Sequence, residues 1–297
     1  MTDIGLITGQ TCRQSVLHGL SDLLETANTF STTAPLNVQI CEPDARFDDL
    51  DALIILPCQK PDGLSDGLRH LQTAHKNGSL IGSVCMGAFR LAETGLLDGR
   101  PATTHWSAAA SFSQQFPTVQ LDCSRTVIEE PDLITAGGFL AWIDLGLALI
   151  RRYCSQAVMM ETAHFVLADP GRRDQRVYAR FQDVTSHGDD HILRAQDIMR
   201  QNPAHHHTIA ALADAARLEP RTFLRRFKRA TGLTPTRYLQ KHRLDQGCRL
   251  LETTVQSVEQ IAWAVGYQDT GAFRALFQRE IGDTPSEYRQ RYTISDS

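Results

Sequence analysis

The chain is expected to fold as two domains. The first is an α/β domain with a mainly parallel sheet and helices on both faces. The second is an all-α domain built around two helix-turn-helix units. Three observations predict this. Through the first half, short β-branched or apolar runs alternate with amphipathic stretches, the pattern of strands linked by crossover helices. From Ile192 onward no strand signal occurs, and apolar residues recur every three or four positions. Within that second half Phe223, Phe227, Arg229, Gly232, Thr234, Pro235 and Tyr238 return fifty residues later as Phe273, Phe277, Arg279, Gly282, Thr284, Pro285 and Tyr288.

The apolar runs predict strands at 4–8, 38–41, 52–56, 80–84, 102–104, 126–129 and 133–135. Helices are predicted at 15–28, 63–76, 86–94, 107–115, 140–153 and 156–167, the third closed by Gly95, whose left-handed freedom suits a helix C-terminus. Between Asp169 and Asp190 the texture turns polar and turn-rich, as in Pro170-Gly171-Arg172-Arg173-Asp174 and Ser186-His187-Gly188-Asp189-Asp190. The expected division is therefore a first domain over 1–168, a linker over 169–190 and a second domain over 191–297. In the second, short helices at 209–216 and 258–265 precede the two copies of the repeat, and a long helix over about 235–251 joins them.

Hydrophobic residues at 42% and charged residues at 22% are ordinary for a globular protein. No apolar run reaches the roughly 18 residues of a membrane span. Asp3 stands before the first apolar stretch, where a secretory leader would carry basic residues. A cytoplasmic location with no membrane partner is expected. Seven cysteines, odd in number and without C-x-x-C, fit reduced thiols better than a disulfide framework or a metal site. The net charge of −4 hides an asymmetry: residues 1–185 carry 14 basic and 21 acidic side chains, and residues 186–297 carry 16 and 13. Five of the nine residues Arg221 to Arg229 are Arg or Lys, and such clustering favours a polyanionic partner.

A helix-turn-helix needs a first helix packed through small residues and a second with an apolar inner face and a polar outer face that enters the major groove. Phe223 and Phe227, spaced i, i+4, form an inner face and turn Arg221, Thr222, Leu224, Arg225 and Lys228 elsewhere. Arg221 and Arg225 share a face, and Arg suits bidentate contact with guanine. The second copy offers Thr270, Gly271, Ala272, Arg274 and Ala275, with less capacity for base hydrogen bonds; it is expected to read shape, thymine methyls or phosphates.

In the first half, the buried run Leu80-Ile81-Gly82-Ser83-Val84 leads directly into Cys85-Met86-Gly87-Ala88-Phe89 at the start of a helix. Such a turn exposes its apex residue and aims the N–H groups of Met86 and Gly87 beside the sulfur. A helix N-terminus is also expected to lower the Cys85 thiol pKa.

Gly266-Tyr267-Gln268-Asp269 with Phe273, Phe277, Gly282, Thr284, Pro285 and Tyr288-Arg289 resembles the signature of AraC-type transcriptional regulators over about a hundred residues. That resemblance implies two recognition helices in major-groove segments about 34 Å apart, with Arg221, Leu224, Arg225, Thr270, Ala272 and Arg274 facing bases, and it implies RNA polymerase as a partner. Ser83 to Phe89, with Leu91 to Gly99 and Ala102-Thr103-Thr104-His105-Trp106, resembles the PfpI-like branch of the class I glutamine amidotransferase superfamily and implies a flavodoxin-like fold. Ala27-Asn28 and Thr135-Ala136-Gly137-Gly138 also fit. The order of the two resemblances is that of the GlxA-type regulators.

Enzymes of that superfamily pair a nucleophilic cysteine with a histidine and an acid. Cys85 and His105 fall at the first two places; Val16 stands where the acid is expected, and Met86 follows the cysteine where amidase- and protease-like members carry histidine. Without a base and an orienting acid a thiol lacks the partners of covalent catalysis. The expectation is a non-catalytic sensor with no cofactor, binding a small-molecule effector between Cys85, Met86, Gly87, His105, Trp106, Gly138 and Phe139. Trp106 could stack a cation, and the resemblance implies an amino acid or a methylated amine. A homodimer is expected through the first domain, and promoter DNA is the partner of the second. The alternative is a Cys85-dependent hydrolase or hydratase with a DNA-binding appendage; a third reading is a redox sensor in which Cys85 is oxidised. His205-His206-His207 cannot face one point on a helix and precede Thr208, an expected N-cap, so no metal site is assigned.

Overall fold

A computed structural model describes residues 1–9, 11–32, 35–47, 49–58, 67–171 and 174–292. The start of the helix expected at 63–76 (residues 63–66), Asp48 and residues 172–173 lie outside these. The chain forms two compact units, Met1–Arg176 and Val177–Ser297. No helix among the described residues is long and apolar enough to cross a membrane.

The first unit runs β1 (Thr2–Ile7), α1 (Gln14–Phe30), β2 (Leu36–Cys41), β3 (Ala52–Ile55), α2 (Gly67–Lys76), β4 (Leu80–Val84), α3 (Gly87–Glu93), β5 (Pro101–Ala102), α4 (Ala109–Gln115), β6 (Gln120–Leu121), β7 (Val127–Glu129), β8 (Leu133–Ala136), α5 (Trp142–Tyr153) and α6 (Gln156–Phe165). Six strands form one sheet in the order β2-β1-β3-β4-β8-β7, parallel except for β7. Because helices cover both faces, β3, β4 and β8 are buried at every residue and read as continuous apolar runs rather than alternating ones. One face packs on Leu20 and Leu24 of α1, Leu145 and Leu149 of α5 and Met159 of α6. The other packs on Leu71, Leu91 and Phe112 of α2, α3 and α4.

The strand expected at 102–104 is not part of this sheet. Pro101–Ala102 pairs with Gln120–Leu121 in a separate two-stranded ribbon, and the next residues turn inward instead, where Thr103 and Thr104 are fully buried. Two polar side chains in succession need donors and acceptors from the loops around them, which a regular ladder would not supply.

The second unit is helical: α7 (Asp190–Gln201), α8 (Ile209–Ala215), α9 (Pro220–Thr231), α10 (Pro235–Thr253), α11 (Val258–Ala264), α12 (Thr270–Ile281) and α13 (Pro285–Tyr292). The repeat is a repeat of physical roles. Gly232 and Gly282 end α9 and α12 in the left-handed region, at φ 73° and 98°, where a side chain is disfavoured. Thr234 and Thr284 then accept hydrogen bonds from the Arg237 and Glu287 N–H groups at 3.3 Å and cap the next helix. Pro235 and Pro285 occupy its first position, where no N–H is needed. Phe223, Phe227 and Tyr238 fill one small core, and Phe273, Phe277 and Tyr288 fill the other. In each copy the second Phe meets the Tyr edge-on, at 5.2 and 5.4 Å.

The polar stretch 169–190 is parted between the units. Gln175 is buried in the first, whereas Val177 and Phe181 pack into the two cores of the second. Replacing Phe223 or Phe273 with Ala should destabilise the helical unit by about 3–5 kcal/mol. Urea denaturation of the full chain, followed by far-UV circular dichroism, should show that transition at lower denaturant.

Candidate functional site

The parallel strands end along one edge of the sheet, and the residues expected to bind a ligand gather there. Cys85 directly follows β4 with φ 53°, a left-handed conformation that costs a non-glycine residue roughly 1–2 kcal/mol. Its neighbours hold it in place. The Cys85 N–H donates to the Ala136 carbonyl at 2.7 Å, and the Thr104 hydroxyl donates to the Cys85 carbonyl at 2.8 Å. Helix α3 can begin at once because residue 87 is glycine: a Cβ there would lie 2.4 Å from the Ile55 carbonyl oxygen. Gly138 and Phe139 follow β8, and the Arg13 guanidinium lies 5.9 Å above the Phe139 ring.

The electrostatics of this elbow differ from the expectation of a lowered thiol pKa. Burial pushes the Cys85 thiol above its ordinary value, against smaller opposing effects of the Met86 N–H and the Arg13 charge. Helix α3 has only seven residues, so its dipole is short, and desolvation of the thiolate outweighs it. His105 is half-buried, and burial lowers its pKa, leaving the neutral ring favoured at pH 7. Its Nδ1 accepts from the Ser107 N–H at 3.1 Å and lies 2.7 Å from the Ser107 hydroxyl. The ring thus caps the short turn Trp106–Ala108. Among the described residues no hydrogen bond joins His105 to Cys85. Val16, at the place of the family acid, is fully buried in the core.

Sequence reasoning missed three residues here. Thr104 belongs to the run singled out above, but its role as clamp of the elbow depends on the inward turn after β5. Arg13 arrives from the start of α1 through topology alone. Gln175 lay in the stretch read as linker, yet its side-chain amide donates to the Thr103 hydroxyl (3.1 Å), the Thr104 carbonyl (3.1 Å) and the Arg125 carbonyl (2.9 Å). Its oxygen accepts from the Trp106 N–H at 3.2 Å. A cavity of about 680 Å³ lies elsewhere in this unit, lined by Arg125, Glu129, Asp144, Arg151, Asp174 and Arg176 among others, and contains none of the expected ligand residues. Arg151 and Arg176 are held there by Glu129 and Asp174.

In the second unit α9 presents Arg221, Leu224, Arg225 and Lys228 to solvent, with Thr222 half-buried beside them. Among the described residues none of these cations forms a salt bridge within the chain. Arg226 differs: it grips Asp189 through two hydrogen bonds of 2.7 and 2.9 Å, and Asp189 in turn caps α7. It braces the helix rather than facing outward. On α12 Ala272 and Arg274 are exposed and Thr270 is half-buried, but Arg274 pairs with Glu259 of α11 at 2.7 Å. This lateral pair, invisible to the repeat pattern, leaves α12 with no uncommitted cation at its expected base-facing positions.

The two units define the class: a doubly covered α/β domain followed by a paired helix-turn-helix domain, the architecture of a DNA-binding transcription regulator. Residues 25–152 match the DJ-1/PfpI family, and residues 212–291 match a helix-turn-helix domain. The transcriptional regulator CdhR of Pseudomonas aeruginosa is 31% identical over 223 residues, which are 74% of this chain and 65% of that protein. The chain thus spans just under two thirds of CdhR. The transcriptional regulator GlxA of Rhizobium meliloti is 26% identical over 284 residues, 93% of this chain and 86% of that protein. The crystal structure of an AraC family transcriptional regulator from Pseudomonas putida superposes with a TM-score of 0.50 at 18% identity, over 56% of this chain and 100% of that one, a likeness of fold. In both of its units, and in their order, the chain is similar to regulators that join a DJ-1/PfpI domain to a helix-turn-helix domain.

Because burial favours the protonated thiol, Cys85 should react with iodoacetamide more slowly than an unhindered cysteine at neutral pH. Its rate should begin to climb only above the ordinary thiol range. Mass spectrometry of the alkylated Cys85 peptide across pH measures this; an inflection below the ordinary value would contradict the geometry.

Proposed function

We propose that the first unit is a non-catalytic sensor that binds a small effector at the sheet edge around Cys85, Met86, Gly87, His105, Trp106, Gly138 and Phe139, and that occupancy alters promoter binding by the second. The observation that carries this reading is the state of the elbow: Cys85 is held in place, but burial keeps its thiol protonated, and His105 spends Nδ1 on its own turn. A site with a neutral nucleophile and no aligned base can bind far more readily than it can turn over. An amino acid or a methylated amine is the proposed effector, Trp106 offering an aromatic face to its cation. A cytoplasmic homodimer through the first unit, placing two readers on a repeated DNA site and meeting RNA polymerase at the promoter, completes the reading.

Gln175 supplies a physical route for coupling. It accepts from Trp106, fills the space beside Gly137, and lies two residues before Val177, where the second unit begins. An effector that favours one placement of Trp106 would bias the chain at this exit, and only such a differential interaction can shift the equilibrium. The Gln175→Leu variant should retain effector binding and effector-free DNA binding while losing most of the change in DNA affinity on adding effector.

DNA reading is tested by selecting sites from a random duplex library with the full chain and measuring their affinity by fluorescence anisotropy. Arg225→Ala should weaken the selected site by about 1–3 kcal/mol and relax one base position, whereas Lys228→Ala should weaken all sequences alike and flatten the salt dependence. Enrichment of no sequence, or equal behaviour of the two variants, would contradict the assignment. For the effector, Trp106→Ala should raise the concentration needed without altering effector-free DNA affinity; the same effect from Arg125→Ala alone would move the site to the polar cavity.

A further inference from the structure

The loops that follow β1 and β3 meet in an isolated antiparallel bridge, and the residues paired there are Cys12 and Cys58. Directly opposed residues in such a bridge have Cα atoms about 4.5–5.5 Å apart, inside the roughly 4.4–6.8 Å that a disulfide spans. The place is also particular. In the order β2-β1-β3-β4 the chain leaves β1 in opposite directions, so β1 and β3 flank the switch point where an open parallel sheet leaves its crevice. Cys12 is buried and Cys58 is half-buried. Interaction with the Cys58 side chain, reinforced by burial, pushes the Cys12 thiol well above its ordinary value and favours its protonated form.

We propose that Cys12 and Cys58 form a reversible dithiol–disulfide site at this crevice, oxidised by a peroxide. The more accessible Cys58 thiolate attacks the peroxide O–O bond, forming a sulfenic acid and releasing hydroxide, which takes up the thiol proton as water. The Cys12 sulfur then displaces the sulfenic oxygen, which leaves with the Cys12 proton as a second water. Two thiols and one hydrogen peroxide thus become one disulfide and two waters. Reduction by a dithiol reverses it. The bond would fasten the entrance of α1 to the loop after β3. Arg13, the next residue after Cys12, stands over Phe139 and exerts its charge on Cys85, so the bridge would form beside the elbow without using Cys85 itself. Disulfides that form in reducing compartments are transient and redox-sensing rather than structural. The proposal rests on the pairing of the two loops and does not depend on the effector reading.

The test treats the reduced full-length protein with hydrogen peroxide, blocks remaining thiols with N-ethylmaleimide, and applies intact mass measurement and non-reducing peptide mapping. The expected product lacks the mass of two hydrogens, joins the Cys12 and Cys58 peptides, reverts with dithiothreitol, and forms equally in Cys85→Ser. In Cys12→Ser oxidation should stop at Cys58 as a sulfenic acid that dimedone traps. A disulfide between any other pair, oxygen added first to Cys85, or retention of both thiols while the circular dichroism spectrum stays native would overturn the proposal.

Discussion

Burial of the parallel strands on both faces is the constraint from which the first unit follows. β3, β4 and β8 give up their side chains and their backbone hydrogen bonds to the sheet and its covering helices. Only the strand ends keep groups that can meet a ligand. At one end of β4 the chain must turn into α3 without delay, which forces Cys85 into a left-handed conformation and residue 87 to lack a side chain. Loops from β1, β3 and β8 end beside it, so cysteines, Arg13 and Phe139, distant in sequence, become neighbours.

The second unit solves a different problem. Each helix-turn-helix is too small to hold itself together by area alone, so each relies on a fully buried Phe-Phe-Tyr cluster and on caps that satisfy the helix ends. What remains outside is decided by ion pairs. Asp189 takes Arg226 inward, Glu259 takes Arg274 sideways, and α9 leaves Arg221, Arg225 and Lys228 exposed. The two helix-turn-helix copies are duplicates in fold and unlike in exposed charge.

The parts legible in the sequence were those written in short-range pattern. The continuous apolar runs gave away β3, β4 and β8, and the fifty-residue repeat exposed both reader helices because caps, Phe spacing and turn glycines are local. Features that depend on tertiary placement were not legible. Residues 102–104 look like a strand by β-branching, yet Thr103 and Thr104 serve as buried hydrogen-bonding groups. The strand-to-helix turn at Cys85 was evident, but the balance of burial against a short helix dipole was not, and it reversed the expected direction of the thiol's shift. Gln175 gave no periodic signal, and the Arg274–Glu259 pair joins two helices whose apposition no spacing rule encodes.

The central claim is that the first unit binds without transforming what it binds. The most direct measurement is a thermal-shift screen of wild type and Cys85→Ser against amino acids, methylated amines and small amides, with each stabilising compound recovered and checked for chemical change. Ligand at a hundred times its dissociation constant stabilises by about 2.7 kcal/mol, so true effectors will stand out. We expect a compound that stabilises both proteins and is recovered intact. A compound consumed by wild type and spared by Cys85→Ser would contradict the claim and make the first unit an enzyme.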